Sequence, residues 1–223
     1  MIGIIDYGVG NLYSVKNAFD YLGTASVVTD DPNTLDNYRA LILPGVGSFT
    51  QGMALLKQRG FVEPIYQRVE AGVPFLGICL GMQLLFETSE EGAQVLDYQE
   101  QLQSRGHCND QVKSEHGTCG LSLIPGKVIR FPSGYIVPHV GWSQVELSQE
   151  FSPFDHCHGD YFYFVHSYRG EQVPEENVAG YTRYQEDCFP SIVKRDNVIG
   201  TQFHPEKSSK DGLEILRKFG GMD

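Results

Sequence analysis

The chain has 223 residues, 41% of them hydrophobic, with 28 acidic against 17 basic side chains and a formal charge of −11. That length suits one domain with a substantial core, and the acidic balance, without any cluster of basic residues, excludes a partner recognised through its phosphates such as nucleic acid. No apolar run approaches a membrane span, no basic leader precedes the first strand-like residues, and five scattered cysteines make no disulfide framework, so a cytoplasmic protein with reduced thiols is expected.

Ile2 to Asp6 reads as a strand, and Val15, Ala18, Phe19 and Leu22 lie on one face of the helix that follows. Gly8 and Gly10 between them hint at a dinucleotide fingerprint, but Tyr13 stands where its third glycine is required, so nucleotide binding is not expected. Ala25 to Thr29 and Ala40 to Leu43 continue as strands. The second runs into Pro44-Gly45-Val46-Gly47-Ser48-Phe49, whose glycines leave backbone N–H groups open to a neighbouring site. Met53 to Leu56 and Val62 to Ala71 look helical and return the chain to Pro74.

From Pro74 to Glu87 a short apolar run changes to helical spacing at Cys79, with Gly77 and Gly81 two places to either side. This is the pattern of a nucleophile elbow with Cys in place of Ser. The N–H of Leu80 would then open a helix, where unpaired donors and the positive dipole end favour a thiolate and any oxyanion beside it. A buried structural cysteine is the alternative until a base is found. Strands alternating with helices as far as Phe86 argue for a parallel, doubly wound α/β sheet.

Gln94 to Gly120 is polar and without period, and reads as a surface excursion from the single domain 1–223. It holds His107, Cys108, His116 and Cys119, but their spacing matches no common zinc pattern and no metal is expected. Lys127 to Phe131, Tyr135 to Val137, the aromatic run Tyr161 to Tyr168, Val178 to Tyr184, Ile192 to Lys194 and Asn197 to Phe203 follow as strands, read as hairpins added to the sheet. A closing helix is expected from near Ser208, with Asp211 as a capping-box carboxylate and Leu213, Leu216 and Phe219 facing inward.

A cysteine nucleophile needs an imidazole to take its proton and a third group to hold that imidazole. Of the seven histidines, His204 ends a strand and is followed two places later by Glu206, a spacing that puts both side chains on one side of an extended backbone. Glu206 could hold one ring nitrogen while the other faces Cys79. A hydrogen-bonded structural histidine is the other reading of this spacing.

Taken together, Gly77-Ile78-Cys79-Leu80-Gly81-Met82-Gln83, Leu43-Pro44-Gly45-Val46-Gly47 and Gln202-Phe203-His204-Pro205-Glu206 resemble the class I, triad-type glutamine amidotransferases. More narrowly, Asp6-Tyr7-Gly8-Val9-Gly10-Asn11, Pro138-His139-Val140-Gly141-Trp142, the run Tyr161 to Tyr168 and Lys207-Ser208-Ser209 resemble the glutaminase subunits of imidazole glycerol phosphate synthase. The resemblance runs from residue 1 to the final helix. It implies a flavodoxin-like α/β fold, with a mixed, mainly parallel sheet flanked by helices and antiparallel additions in the C-terminal half.

The resemblance also assigns roles: Cys79, His204 and Glu206 as catalytic triad, Leu80 with Val46 or Gly47 as oxyanion donors, and Gly47, Gln83, Glu87, His166, Ser167 and Tyr168 as glutamine contacts. It implies a separate (β/α)8-barrel cyclase as heterodimer partner, met by Asn11, Trp142, Tyr163 and Lys207, and no cofactor. The end of the chain at 223 fits that separation. Ser143 stands where the family usually has Asn, and the excursion is longer than the short connection usual there. A paralogous glutaminase serving another synthase, for example in surface-sugar synthesis, a thiol hydrolase on the same fold, and a non-catalytic binding subunit are the competing readings.

Overall fold

The apolar runs Ile2–Ile5 (β1), Ala40–Gly45 (β3) and Phe75–Cys79 (β4) are buried along their whole length, as strands covered on both faces must be. The computed structural model describes residues 1–92, 117–148 and 151–222. Within them β2 (Ser26–Thr29), β1, β3, β4 and β14 (Val198–Thr201) lie side by side in parallel. β13 (Asp187–Arg195), β12 (Val178–Tyr184) and β9 (Glu146–Leu147) extend the sheet antiparallel, giving the order β2-β1-β3-β4-β14-β13-β12-β9. The expected mixed, mainly parallel sheet with antiparallel additions is thus present.

Helices cover both faces. On one side α1 (Leu12–Tyr21) and α5 (Ser209–Phe219) bury Val15, Phe19, Ile215 and Phe219 with Phe162, Phe164 and Phe189. On the other, α2 (Phe49–Gln58) and α3 (Val62–Glu70) bury Met53, Leu56 and Ile65 against Leu43, Phe75 and Phe86. Each of these large side chains contributes about 1.5–3 kcal/mol by leaving water.

Two smaller sheets sit over the carboxyl end of the parallel strands. One, in the order β11-β7-β5-β6, joins β5 (Thr88–Ser89), β6 (Thr118–Cys119), β7 (Lys127–Arg130) and β11 (Tyr168–Glu171). The other pairs β8 (His139–Gln144) with β10 (Tyr161–His166).

Several local expectations change. The aromatic run Tyr161 to Tyr168 is two strands in different sheets, broken at Ser167, because tertiary pairing overrides its β propensity. Tyr135 to Val137 is a turn leading into β8 and not a strand. The elbow helix, α4 (Leu80–Gln83), is a single turn. Ser208 does not cap α5 with its side chain; its hydroxyl donates to the His204 carbonyl at 2.6 Å and accepts from Tyr163 N at 3.0 Å, bracing the site. Of the excursion, β6 is ordered into the small sheet, while His107, Cys108 and His116 lie outside the described residues.

Candidate active site

Cys79 ends β4 and begins α4 with φ 55° and ψ −110°, a backbone conformation that L-residues rarely adopt. Two glycines make the turn possible. A Cβ on Gly77 would stand 2.6 Å from the Gly81 carbonyl oxygen, and one on Gly81 would stand 1.8 Å from that of Leu43. The register of β3 against β4 pairs Gly45 with Cys79, which sets the Val46–Gly47 loop beside the sulfur.

His204 follows β14, the other neighbour of β4, so topology brings it to the elbow from the opposite side. Its Nδ1–H donates to Glu206 Oε1 at 2.8 Å, with side chains only 2% and 1% exposed. The pairing arises differently from the extended spacing expected. Pro205–Lys207 is a 3-10 turn, entered through the fixed φ of Pro205, and it folds Glu206 back onto the ring.

The other nitrogen, Nε2, is buried and has no hydrogen bond of standard geometry among the described residues. Burial pulls the pKa of His204 down, but the approach of the Cys79 thiol and the Glu206 carboxylate outweighs it and raises it to about 10. Among the described residues the sulfur meets the Val165 carbonyl and Gln202 Nε2–H, each at 3.9 Å.

A cavity of about 320 Å³ opens over the sulfur, of a size suited to a small molecule. It is lined by Val46, Gly47, Cys79, Leu80, Gln83, His166, Ser167, Tyr168 and His204 among others. Nearly all the residues expected at the site are thus brought together, and Glu206 stands behind His204. Glu87 is the exception and a correction: it is exposed, and its Oε2 accepts from Gly126 N at 3.0 Å.

The carboxylate that does line the cavity is Glu91. Its Oε2 accepts from Phe49 N at 2.5 Å, and burial raises its pKa against the lowering effect of that bond. The resemblance pointed to Glu87, and which carboxylate of this segment enters the cavity depends on β5 pairing with β7 and β6. Of the residues expected at a partner face, Trp142 is 52% exposed and meets Tyr163 edge to face at 6.3 Å. Lys207 is exposed in the 3-10 turn, and Asn11 opens α1, which packs against that turn.

Sheet order and the strand–cysteine–helix elbow define the class, and the family described as "Glutamine amidotransferase class-I" matches residues 3–220. A solved glutamine amidotransferase superposes with a TM-score of 0.69 over 99% of each chain at 20% identity, a likeness of fold alone. The chain is 47% identical over 222 residues to the imidazole glycerol phosphate synthase subunit HisH of Moorella thermoacetica, covering 99% of this chain and 94% of that one. To the HisH subunit of Syntrophotalea carbinolica it is 45% identical over 231 residues, covering 100% of both. The chain belongs to the class-I glutamine amidotransferase family, in the branch of the HisH subunits.

Proposed function

We propose that this chain is the glutaminase subunit of an imidazole glycerol phosphate synthase, hydrolysing glutamine and supplying the ammonia for histidine biosynthesis. The observation that carries the reading is the buried His204–Glu206 pair beside a strained Cys79 at a small cavity. Membership of the HisH branch over the whole chain supports the pathway. One domain, residues 1–223, holds the site.

On this reading the Cys79 proton already rests on His204, and the thiolate sulfur attacks the side-chain amide carbon of glutamine. The negative oxygen that forms is met by Leu80 N–H and by an N–H of the Val46–Gly47 loop, a role supported by the three residues lining the cavity. His204, held by Glu206, returns the proton to the departing nitrogen, so ammonia leaves and a thioester remains. Water then adds to the thioester with His204 as base, and glutamate is released.

Gly47, Gln83, His166, Ser167 and Tyr168 hold the rest of the substrate. Glu91 replaces Glu87 in this set, because a carboxylate in the cavity suits the α-ammonium group of an amino acid. Ammonia is mostly protonated near neutral pH, which favours direct delivery to a docked (β/α)8 cyclase at Asn11, Trp142, Tyr163 and Lys207. No helix among the described residues is long and apolar enough to cross a membrane. A cytoplasmic heterodimer is the proposed form.

Glutamine hydrolysis should be weak for the chain alone and rise with the cognate cyclase and its nucleotide substrate. Cys79→Ala should lower it by about a thousandfold or more in the complex. Retained turnover in that variant would remove the proposed nucleophile.

A further inference from the structure

Behind the cavity wall runs a line of polar groups that the hydrolysis itself does not use. β8 and β10 pair with His139 opposite His166, and both side chains turn to the buried face of this small sheet. His139 is stacked on Tyr184 at 3.9 Å and on Phe164 at 5.0 Å, with Phe131 and Phe189 closing the cage. Burial pushes the pKa of His139 down to about 4 and that of His166 down to about 3, so both rings are neutral.

With neutral rings the hydrogen bonds can run in only one direction. The Tyr168 carbonyl can only accept, so His166 donates to it from Nδ1 at 2.8 Å and keeps a bare Nε2. That nitrogen accepts from His139 Nδ1–H at 3.1 Å, and His139 Nε2 in turn accepts from the Ser143 hydroxyl at 2.9 Å. From the other side the same Tyr168 carbonyl accepts from Gln83 Nε2 at 2.9 Å, and Gln83 also donates to Gln202 Oε1 at 3.0 Å. Gln202 Nε2 then faces the Cys79 sulfur. An ordered chain of donors thus leads from β8, the strand that carries the exposed Trp142, to the Tyr168 carbonyl at the cavity wall, and a second chain, starting at Gln83, leads from that carbonyl's other donor to the nucleophile.

We propose that Ser143 and His139 are positioning residues for glutamine: acting through His166, their ordered hydrogen bonds hold the Tyr168 carbonyl, and with it Ser167, Tyr168 and Gln83, where the substrate is received. The proposal rests on the glutaminase reading and adds residues to it that do not touch the substrate. A phenylalanine at 139 would fill the aromatic cage at lower desolvation cost, so packing alone does not call for an imidazole there. Without a donor from His139, His166 is no longer held to the Nδ1–H tautomer, and its bond to Tyr168 can lapse.

The test uses the full chain in complex with the cognate cyclase and its nucleotide substrate, comparing wild type, His139→Phe and His139→Asn, whose amide N–H sits where Nδ1–H did. His139→Phe should raise KM for glutamine about tenfold with kcat changed less than about threefold, and His139→Asn should restore KM to within about threefold. The 15N spectrum of the His166 imidazole should show a protonated Nδ1 in wild type and in His139→Asn, and a mixture of tautomers in His139→Phe. Should His139→Phe not fold, Ser143→Ala carries the test, with a KM raised about threefold and an altered His139 spectrum. Unchanged KM and spectra in the folded variants, or an Asn variant no better than Phe, would overturn the relay. A wild-type complex that hydrolyses no glutamine would instead overturn the glutaminase reading.

Discussion

Cys79 ends β4 and His204 follows β14, the strand paired with β4 in parallel, and both side chains are buried. Burial lowers the pKa of three histidines, but in His204 the Cys79 and Glu206 side chains outweigh it. His204, with its pKa raised from 6.5 to about 10, adds stability that is complete below about pH 6.5 and is lost as pH rises through 10. His139 and His166, lowered from 6.5 to about 4 and about 3, take up protons later than the unfolded chain does, so they remove stability as pH falls below 6.5. Denaturant midpoints measured against pH should therefore fall on both sides of neutrality. Glu206→Gln removes one of the influences that raise His204, so the alkaline loss should move to lower pH, and an NMR titration of His204 should show the same shift. For Glu91→Gln the amide oxygen can still accept from Phe49 N, which preserves the fold, but the negative charge is gone. KM for glutamine should rise about ten- to a hundredfold with kcat nearly kept, as steady-state kinetics will show.

The elbow is an arrangement of elements as much as a residue. α4 is one turn long and gains little from helix propensity, so its position depends on close approach of backbones at Gly77 and Gly81. Gly81→Ala would force a methyl group against the Leu43 carbonyl, which is fixed in β3. It should cost about 1–3 kcal/mol or more and lower the thermal midpoint together with activity. The break between β10 and β11 at Ser167 is the second such arrangement. It ends one sheet and begins another, and that change of partner turns Ser167 and Tyr168 into the cavity. The aromatic run around it was legible as β structure, but the break was not, because both halves carry the same propensity.

At the scale of the molecule, the exposed aromatic Trp142 lies on the face formed by β8, β10 and the turn that holds Glu206. On the proposed function this is where the cyclase docks. Trp142→Ala should leave the fold intact, the side chain being half exposed, and weaken binding of the cyclase by about 2 kcal/mol or more, read by titration calorimetry. Unchanged affinity would move the partner to another face.

The sequence by itself determined the strand–cysteine–helix elbow and the alternation of strands and helices, since these are local: glycine spacing and apolar period are written in neighbouring residues, whereas the His204–Glu206 pairing, expected on an extended backbone, forms through a 3-10 turn. It also carried the family resemblance along the whole chain. Only the tertiary structure decided that Glu91 and not Glu87 enters the cavity, that Ser208 braces His204 instead of capping α5, and that His139 connects Ser143 to His166. Each of those outcomes depends on pairing between segments distant in the chain. Which way a side chain faces is set by the strand or helix it packs against, and that partner is not written in its neighbours.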